Sequence, residues 1–139
     1  MKKFVSMLII LCMSFCMVSA TASAAVPDDS GISPLYLYTS NVIPKVVSTG
    51  TTSVKYYCDV TGKSGTTQVK IYLYLEEYYN GSWRTVDAVS KTVSSRNGYV
   101  EDTYTSAVKG RKYRAYTSVF AYKGTAYEHI EEYSPTITK

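Results

Sequence analysis

From Val69 the chain alternates: Val69, Ile71, Leu73 and Leu75 share one parity, and Lys70, Tyr72, Tyr74 and Glu76 share the other. Successive side chains of an extended strand point to opposite faces, so this pattern predicts a strand with an aliphatic inner face and a tyrosine-bearing outer one. The same period places Val54, Tyr56, Cys58 and Val60 inward on an earlier strand, and Val100, Tyr104 and Val108 inward on a later one. On a further strand Tyr113, Ala115, Thr117, Val119 and Ala121 alternate with Arg114, Tyr116, Ser118, Phe120 and Tyr122, and periodicity leaves open which set is inner. A last strand runs from about Thr125 to Tyr133, with Tyr127, His129, Glu131 and Tyr133 on one side and Ala126, Glu128, Ile130 and Glu132 on the other. No helical repeat interrupts these segments.

Turn signals cut the pattern at short intervals: Ser48-Thr49-Gly50, Thr61 to Gly65, Asn80-Gly81, Asn97-Gly98, Lys109-Gly110 and Lys123-Gly124. Short strands so spaced predict an all-β, antiparallel β-sandwich of about seven strands. Asn80-Gly81 is the strongest hairpin signal, because both residues accept the positive φ of a tight turn. A two-residue turn there puts Leu75 opposite Val86 and Leu73 opposite Ala88 on the inside. Outside, Tyr78 faces Trp83 and Tyr72 faces Val89. Glu77 then opposes Arg84, a cross-strand charge pair near the turn. A one-residue bulge would shift this register.

The first residues bear on compartment. Lys2 and Lys3 precede an apolar run from Phe4 to Val18, followed by the small residues Ala20, Ala22, Ser23, Ala24 and Ala25. That is the pattern of a secretory signal peptide, a helix expected over 1–24 with cleavage after Ala24 or one residue later. The run is shorter than the roughly 20 residues needed to span a bilayer. Cys12 and Cys16 follow Leu11 and Phe15, not the small residue a lipidation site wants. Residues 25–34 (AVPDDSGISP) read as a flexible lead-in and 35–139 as the sandwich domain.

Of 15 Lys and Arg, Lys2 and Lys3 leave with the signal, so 13 face 11 Asp and Glu. A small, interspersed surplus argues against a nucleic-acid or anionic-membrane partner. Cys58 alone remains of the three cysteines, so no internal disulfide is expected and stability must come from packing. Freedom from disulfides together with this style of signal suggests a Gram-positive secreted protein.

Candidate chemistry is sparse. His129 is the only histidine, and nothing near it in sequence nominates a nucleophile. Cys58 shares its face with Val54 and Val60 and reads as a small buried hydrophobe. Glu76-Glu77 and Glu131-Glu132 are adjacent pairs whose members point to opposite faces of a strand, so neither makes a catalytic couple. Asp28-Asp29 offers too few oxygens for calcium, and Asn80-Gly81-Ser82 reads as a turn more than a glycosylation acceptor. No phosphate-binding glycine loop occurs. No catalytic residue, metal site or cofactor is assigned, and the chain is not expected to be an enzyme.

The rings are what remains. Tyr72, Tyr74, Tyr78 and Trp83 fall on the outer side of the hairpin, and Tyr116 and Tyr122, with Tyr127 and Tyr133, extend that surface if their strands join the same sheet. Tyrosine presents an apolar body with a polar tip, suited to stacking on sugars or packing on a protein. Equally, outward Tyr and Thr stabilise a sheet through cross-strand pairs worth about 0.2–1 kcal/mol each. The leading expectation is a secreted or cell-wall-associated, non-catalytic binding module. It would be a monomer or weakly self-associating, with Tyr72, Tyr74, Tyr78, Trp83, Tyr116 and Tyr122 meeting an extracellular glycan or protein. A fibre subunit built by strand donation, or a bacteriocin-like secreted protein, are the alternatives.

At Val108-Lys109-Gly110-Arg111-Lys112-Tyr113 an apolar residue and a Gly turn precede a Tyr that opens an alternating strand. This resembles the tyrosine corner of immunoglobulin-like and fibronectin type III sandwiches, which implies a Tyr113 hydroxyl bonded to backbone upstream. Two residues on stands Ala115 in place of a cysteine, so antibody-type membership is not implied. Through ISPLYLYTS, SGTTQVKIYLYL, NGSWRTV and YRAYTSVFAY the chain also resembles small secreted Ser/Thr/Tyr-rich proteins of Firmicutes, a family without an assigned function.

Overall fold

The computed structural model describes residues 36–139; the expected signal peptide and the lead-in at 25–34 lie outside the described residues. Eight strands follow in order: β1 (Thr39–Ser48), β2 (Val54–Gly62), β3 (Gln68–Tyr79), β4 (Ser82–Val93), β5 (Asn97–Tyr104), β6 (Lys112–Lys123), β7 (Ala126–Tyr133) and the two-residue β8 (Ile137–Thr138). No helix occurs among the described residues. One sheet has the order β1-β2-β5, the other β4-β3-β6-β7 with β8 also paired to β6, and every pairing is antiparallel. Strands split this way between two antiparallel sheets make the β-sandwich that the turn spacing predicts, with the strand order of the immunoglobulin-like folds that the tyrosine-corner resemblance implies.

Alternation places the core where expected. Val54, Tyr56, Cys58 and Val60 of β2 face Val69, Ile71, Leu73 and Leu75 of β3, all fully buried. The odd-numbered set of β6, Tyr113 to Ala121, is the inner one. Ala115, Thr117 and Ala121 are small, which leaves room for the aliphatics of the neighbouring β3. Each aliphatic side chain so enclosed contributes roughly 1.5–3 kcal/mol. Burial pushes the Cys58 thiol up to about 11, away from the thiolate that reactivity needs. The buried hydroxyl of Tyr56 has no hydrogen-bond partner among the described residues.

Three expectations need correction. Asn80 (φ 50°) and Gly81 (φ 83°) do form the tight turn, and Tyr78 pairs Trp83 and Glu77 pairs Arg84. Beyond Thr85, however, a bulge shifts the register, so Leu75 meets Asp87, Leu73 meets Val89, Tyr74 meets Ala88 and Tyr72 meets Ser90. The cause is in β4 itself: Val86 has the opposite parity to Val89 and Val93, yet all three pack against the core. Only an extra residue in the strand turns both parities inward. Second, Asn97-Gly98 is not a turn but opens β5. A side chain at Gly98 would place its first carbon 2.9 Å from the Ile71 methyl and 3.2 Å from that of Val93, so glycine lets β5 approach the facing sheet. Third, Val108 lies in the β5–β6 loop, 42% exposed, and Ala107 is the residue buried there.

Candidate functional site

Residues of even number on β3 and β6 and of odd number on β7 share the outer face of the larger sheet, because the register pairs Tyr74 with Tyr116 and Tyr116 with Tyr133. All six expected ring residues, Tyr72, Tyr74, Tyr78, Trp83, Tyr116 and Tyr122, stand on this face, joined by Phe120, Tyr127, His129 and Tyr133. They do not form one compact cluster. Tyr122 pairs Gln68 at one end of β3 and Tyr78 pairs Lys112 near the other, ten residues or about 33 Å of strand apart.

Three groups result. At the hairpin end Tyr78 meets Trp83 edge to face at 5.3 Å. In the middle, Tyr74 stacks on Tyr116 (5.6 Å, 24°) and Tyr116 packs on Tyr133 (4.9 Å, 30°). At the far end Phe120 lies flat on His129 (4.3 Å, 10°), flanked by Tyr127 and, edge-on, by Tyr72, while Tyr122 packs on Tyr127 at 5.7 Å. The Arg114 guanidinium joins the first two groups, 4.3 Å from the rings of both Trp83 and Tyr133, and is held by Glu76 at 2.7 Å.

The orientation of the central group matters. Coplanar rings would overlap at such separations, so these rings stand upright with their faces turned toward one another and their edges toward solvent. The faces of Tyr116 are therefore covered by its neighbours, and Arg114 lies against Tyr133. Tyr74 differs. One face meets Tyr116; the other looks across to Ala88 on the edge strand β4, which has no ring to cover it. A depression of about 190 Å³ lies there, lined by Tyr72, Tyr74, Ala88, Val89 and Ser90.

Alternation alone did not find Ala88, because its position opposite Tyr74 depends on the β4 bulge. Its only trace in the sequence is the broken parity of Val86 against Val89 and Val93.

His129 has a neighbour that sequence reading missed: Ser118, one strand over, places its Oγ 2.8 Å from Nε2 of His129. Glu131 approaches the same nitrogen at 3.9 Å and accepts a 2.6 Å bond from Tyr116, which with burial raises the Tyr116 hydroxyl to about 12. A Ser-His-acid triad needs the carboxylate on the other ring nitrogen and free donors for an oxyanion. Here the carboxylate is on the wrong side, and the surrounding main-chain groups belong to a sheet ladder. No set of three or more His, Cys, Asp or Glu able to hold a metal occurs among the described residues.

A second polar cluster is internal. Glu77, 2% exposed, accepts bonds from Arg84 (2.7 Å), Arg111 (2.9 Å) and the Tyr113 hydroxyl (2.7 Å). Burial alone would raise its pKa, yet the donors Arg111, Tyr113 and Arg84 outweigh burial and hold the carboxyl below its usual range. The Tyr113 oxygen in turn accepts the Val108 N–H at 2.8 Å, the bond implied by the tyrosine-corner resemblance. This cluster braces one end of the sandwich and offers no open position to a ligand.

No protein-family model matches the chain, and no curated protein matches it. Among solved structures, the sporulation control protein Spo0M from Bacillus subtilis is similar with a TM-score of 0.43 and 12% identity, over 71% of this chain and 49% of that one. The chain thus spans about half the length of that structure.

Proposed function

We propose that the chain is a secreted, non-catalytic binding module that holds an extracellular glycan on the outer face of its larger sheet. The observation that carries this is the row of upright rings ending at an uncovered face of Tyr74 beside a depression. Apolar ring faces next to tyrosine hydroxyls suit the mixed surface of a sugar. Secretion rests on the Lys2-Lys3 leader and its small-residue exit. Two features favour this reading over a strand-donated fibre. Pro44 lies in the edge strand β1, and the bulge interrupts the edge strand β4; both devices blunt a sheet edge against pairing with another chain.

The test is retention of the protein on bacterial cell walls and on immobilised polysaccharides. The triple variant Tyr72→Ser, Tyr74→Ser, Trp83→Ser should keep its β-type circular-dichroism spectrum and lose retention by roughly tenfold or more, a change of about 1.4 kcal/mol in binding. Unchanged retention would mean that the rings are scaffold.

A further inference from the structure

The row across the middle of the outer face reads Ala88, Tyr74, Tyr116, Tyr133 from edge strand to edge strand. Three positions carry rings stacked at about the spacing of the strands themselves, and the fourth carries a methyl group. We propose that this vacant fourth position is the primary subsite, and that it receives one neutral pyranose ring of a polysaccharide, stacked on the free face of Tyr74. The proposal deepens the reading given under Proposed function and rests on it.

Size, charge and polarity select this occupant. The depression of about 190 Å³ falls short of the roughly 300–1,000 Å³ typical of sites that enclose a drug-sized molecule, so it suits a single ring of a longer chain that continues over open surface. None of its lining residues, Tyr72, Tyr74, Ala88, Val89 and Ser90, is charged. Asp87, the neighbour of Ala88 on β4, pairs Leu75 on the inner face, and its Oδ1 accepts the Ala88 N–H at 3.0 Å. The depression therefore offers no ion to pair with a charged sugar and suits a neutral one.

That same hydrogen bond shows the Ala88 N–H turned away from β3. In an antiparallel pair the N–H and C=O of one residue point the same way and alternate along the strand, so the Ala88 carbonyl and the main-chain groups of Ser90 also face the free edge. They are donors and acceptors for sugar hydroxyls beside the ring. The hydroxyls of Tyr72 and Tyr74, whose side chains line the depression, complete the polar rim. A hydrophobic face over Tyr74 with polar groups around its edge is the division of surface that a pyranose presents.

The discriminating variant fills the subsite instead of emptying it. Ala88→Tyr supplies the fourth ring, which covers the free face of Tyr74 and adds a cross-strand aromatic pair, so its melting temperature should equal or exceed that of the parent. Affinity electrophoresis of the full chain in gels containing a neutral β-glucan, a mannan or polygalacturonate reads the outcome. Retardation of the parent by a neutral polysaccharide but not by polygalacturonate, lost by roughly tenfold or more in Ala88→Tyr, is the expected result. Retardation that survives in Ala88→Tyr and disappears in the triple Ser variant would place binding elsewhere on the face and sink the subsite while leaving the glycan reading intact. Failure of the parent to bind any of the three would sink both, and stronger retardation by polygalacturonate would overturn the assignment to a neutral sugar. If Ala88→Tyr melts well below the parent, Ala88→Val, which fills the depression without a ring, serves the same comparison.

Discussion

Glu77 keeps its charge at 2% exposure because three donors meet it inside the sandwich, and this has a cost that appears when one side is removed. An isolated buried charge is far more expensive than a paired one. Glu77→Gln should lower stability at pH 7 by about 3 kcal/mol in urea unfolding, since two guanidinium groups and the Tyr113 hydroxyl then lose their common acceptor. The pH dependence has a definite sign. The folded carboxyl titrates below its free value, so its contribution is complete above about pH 4.3 and is lost as pH falls through the lower, folded value. The parent should therefore lose stability on acidification below that point more steeply than Glu77→Gln, and equal acid slopes would refute the assignment. The inward direction of Glu77 and its partner Arg84 follow from alternation and the Asn80-Gly81 turn. Arg111 was not legible, because it arrives from a loop 34 residues away in sequence.

In the β3–β4 hairpin, local chemistry decides the turn and packing decides the strand. Gly81 holds φ at 83° with open space around the position of a side chain, so Gly81→Ala meets no clash and pays only the left-handed backbone penalty. Its expected cost is about 1 kcal/mol, measured as a fall in unfolding midpoint with the slope unchanged; a neutral result would mean the turn relaxes to another type. The turn was readable because its two residues are adjacent in the chain. The bulge was not, because it answers a demand made by the facing sheet: β4 buries Val86, Val89 and Val93 together. One consequence of the bulge bears on the proposed subsite, since it places Ala88 instead of Val89 on the outer face beside the tyrosines.

For the molecule as a whole, closure of the sandwich depends on how the chain enters β1. Glu128 on β7 accepts the backbone N–H groups of Leu37, Tyr38 (2.9 Å) and Thr39 (3.2 Å) and the Thr39 hydroxyl (2.7 Å), and Tyr36 donates to Glu132. Lys63 donates its N–H to the Tyr38 carbonyl at 2.8 Å. A short strap, Tyr36 to Thr39, thus ties the first strand of one sheet to the last full strand of the other. Burial would raise the pKa of Glu128, but the strap donors outweigh burial and lower it. Glu128→Gln should cost about 2 kcal/mol and speed amide hydrogen exchange at Tyr38 and Thr39 while leaving β3 and β6 protected. Uniform protection across the strap in that variant would show the carboxylate to be dispensable.

Residue order alone determined what is local: the strand period, the inner faces of β2 and β3, the Asn80-Gly81 turn and the outward direction of the hairpin rings Tyr72, Tyr74, Tyr78 and Trp83. These follow from backbone geometry, which each segment obeys whatever it packs against. Tertiary structure decided what needs two segments at once: the inner face of β6, the bulge, the partners of Glu77, and which ring lies beside which. The uncovered face of Tyr74 belongs to this second kind, since whether a ring is covered depends on the residue that a separate strand sets beside it.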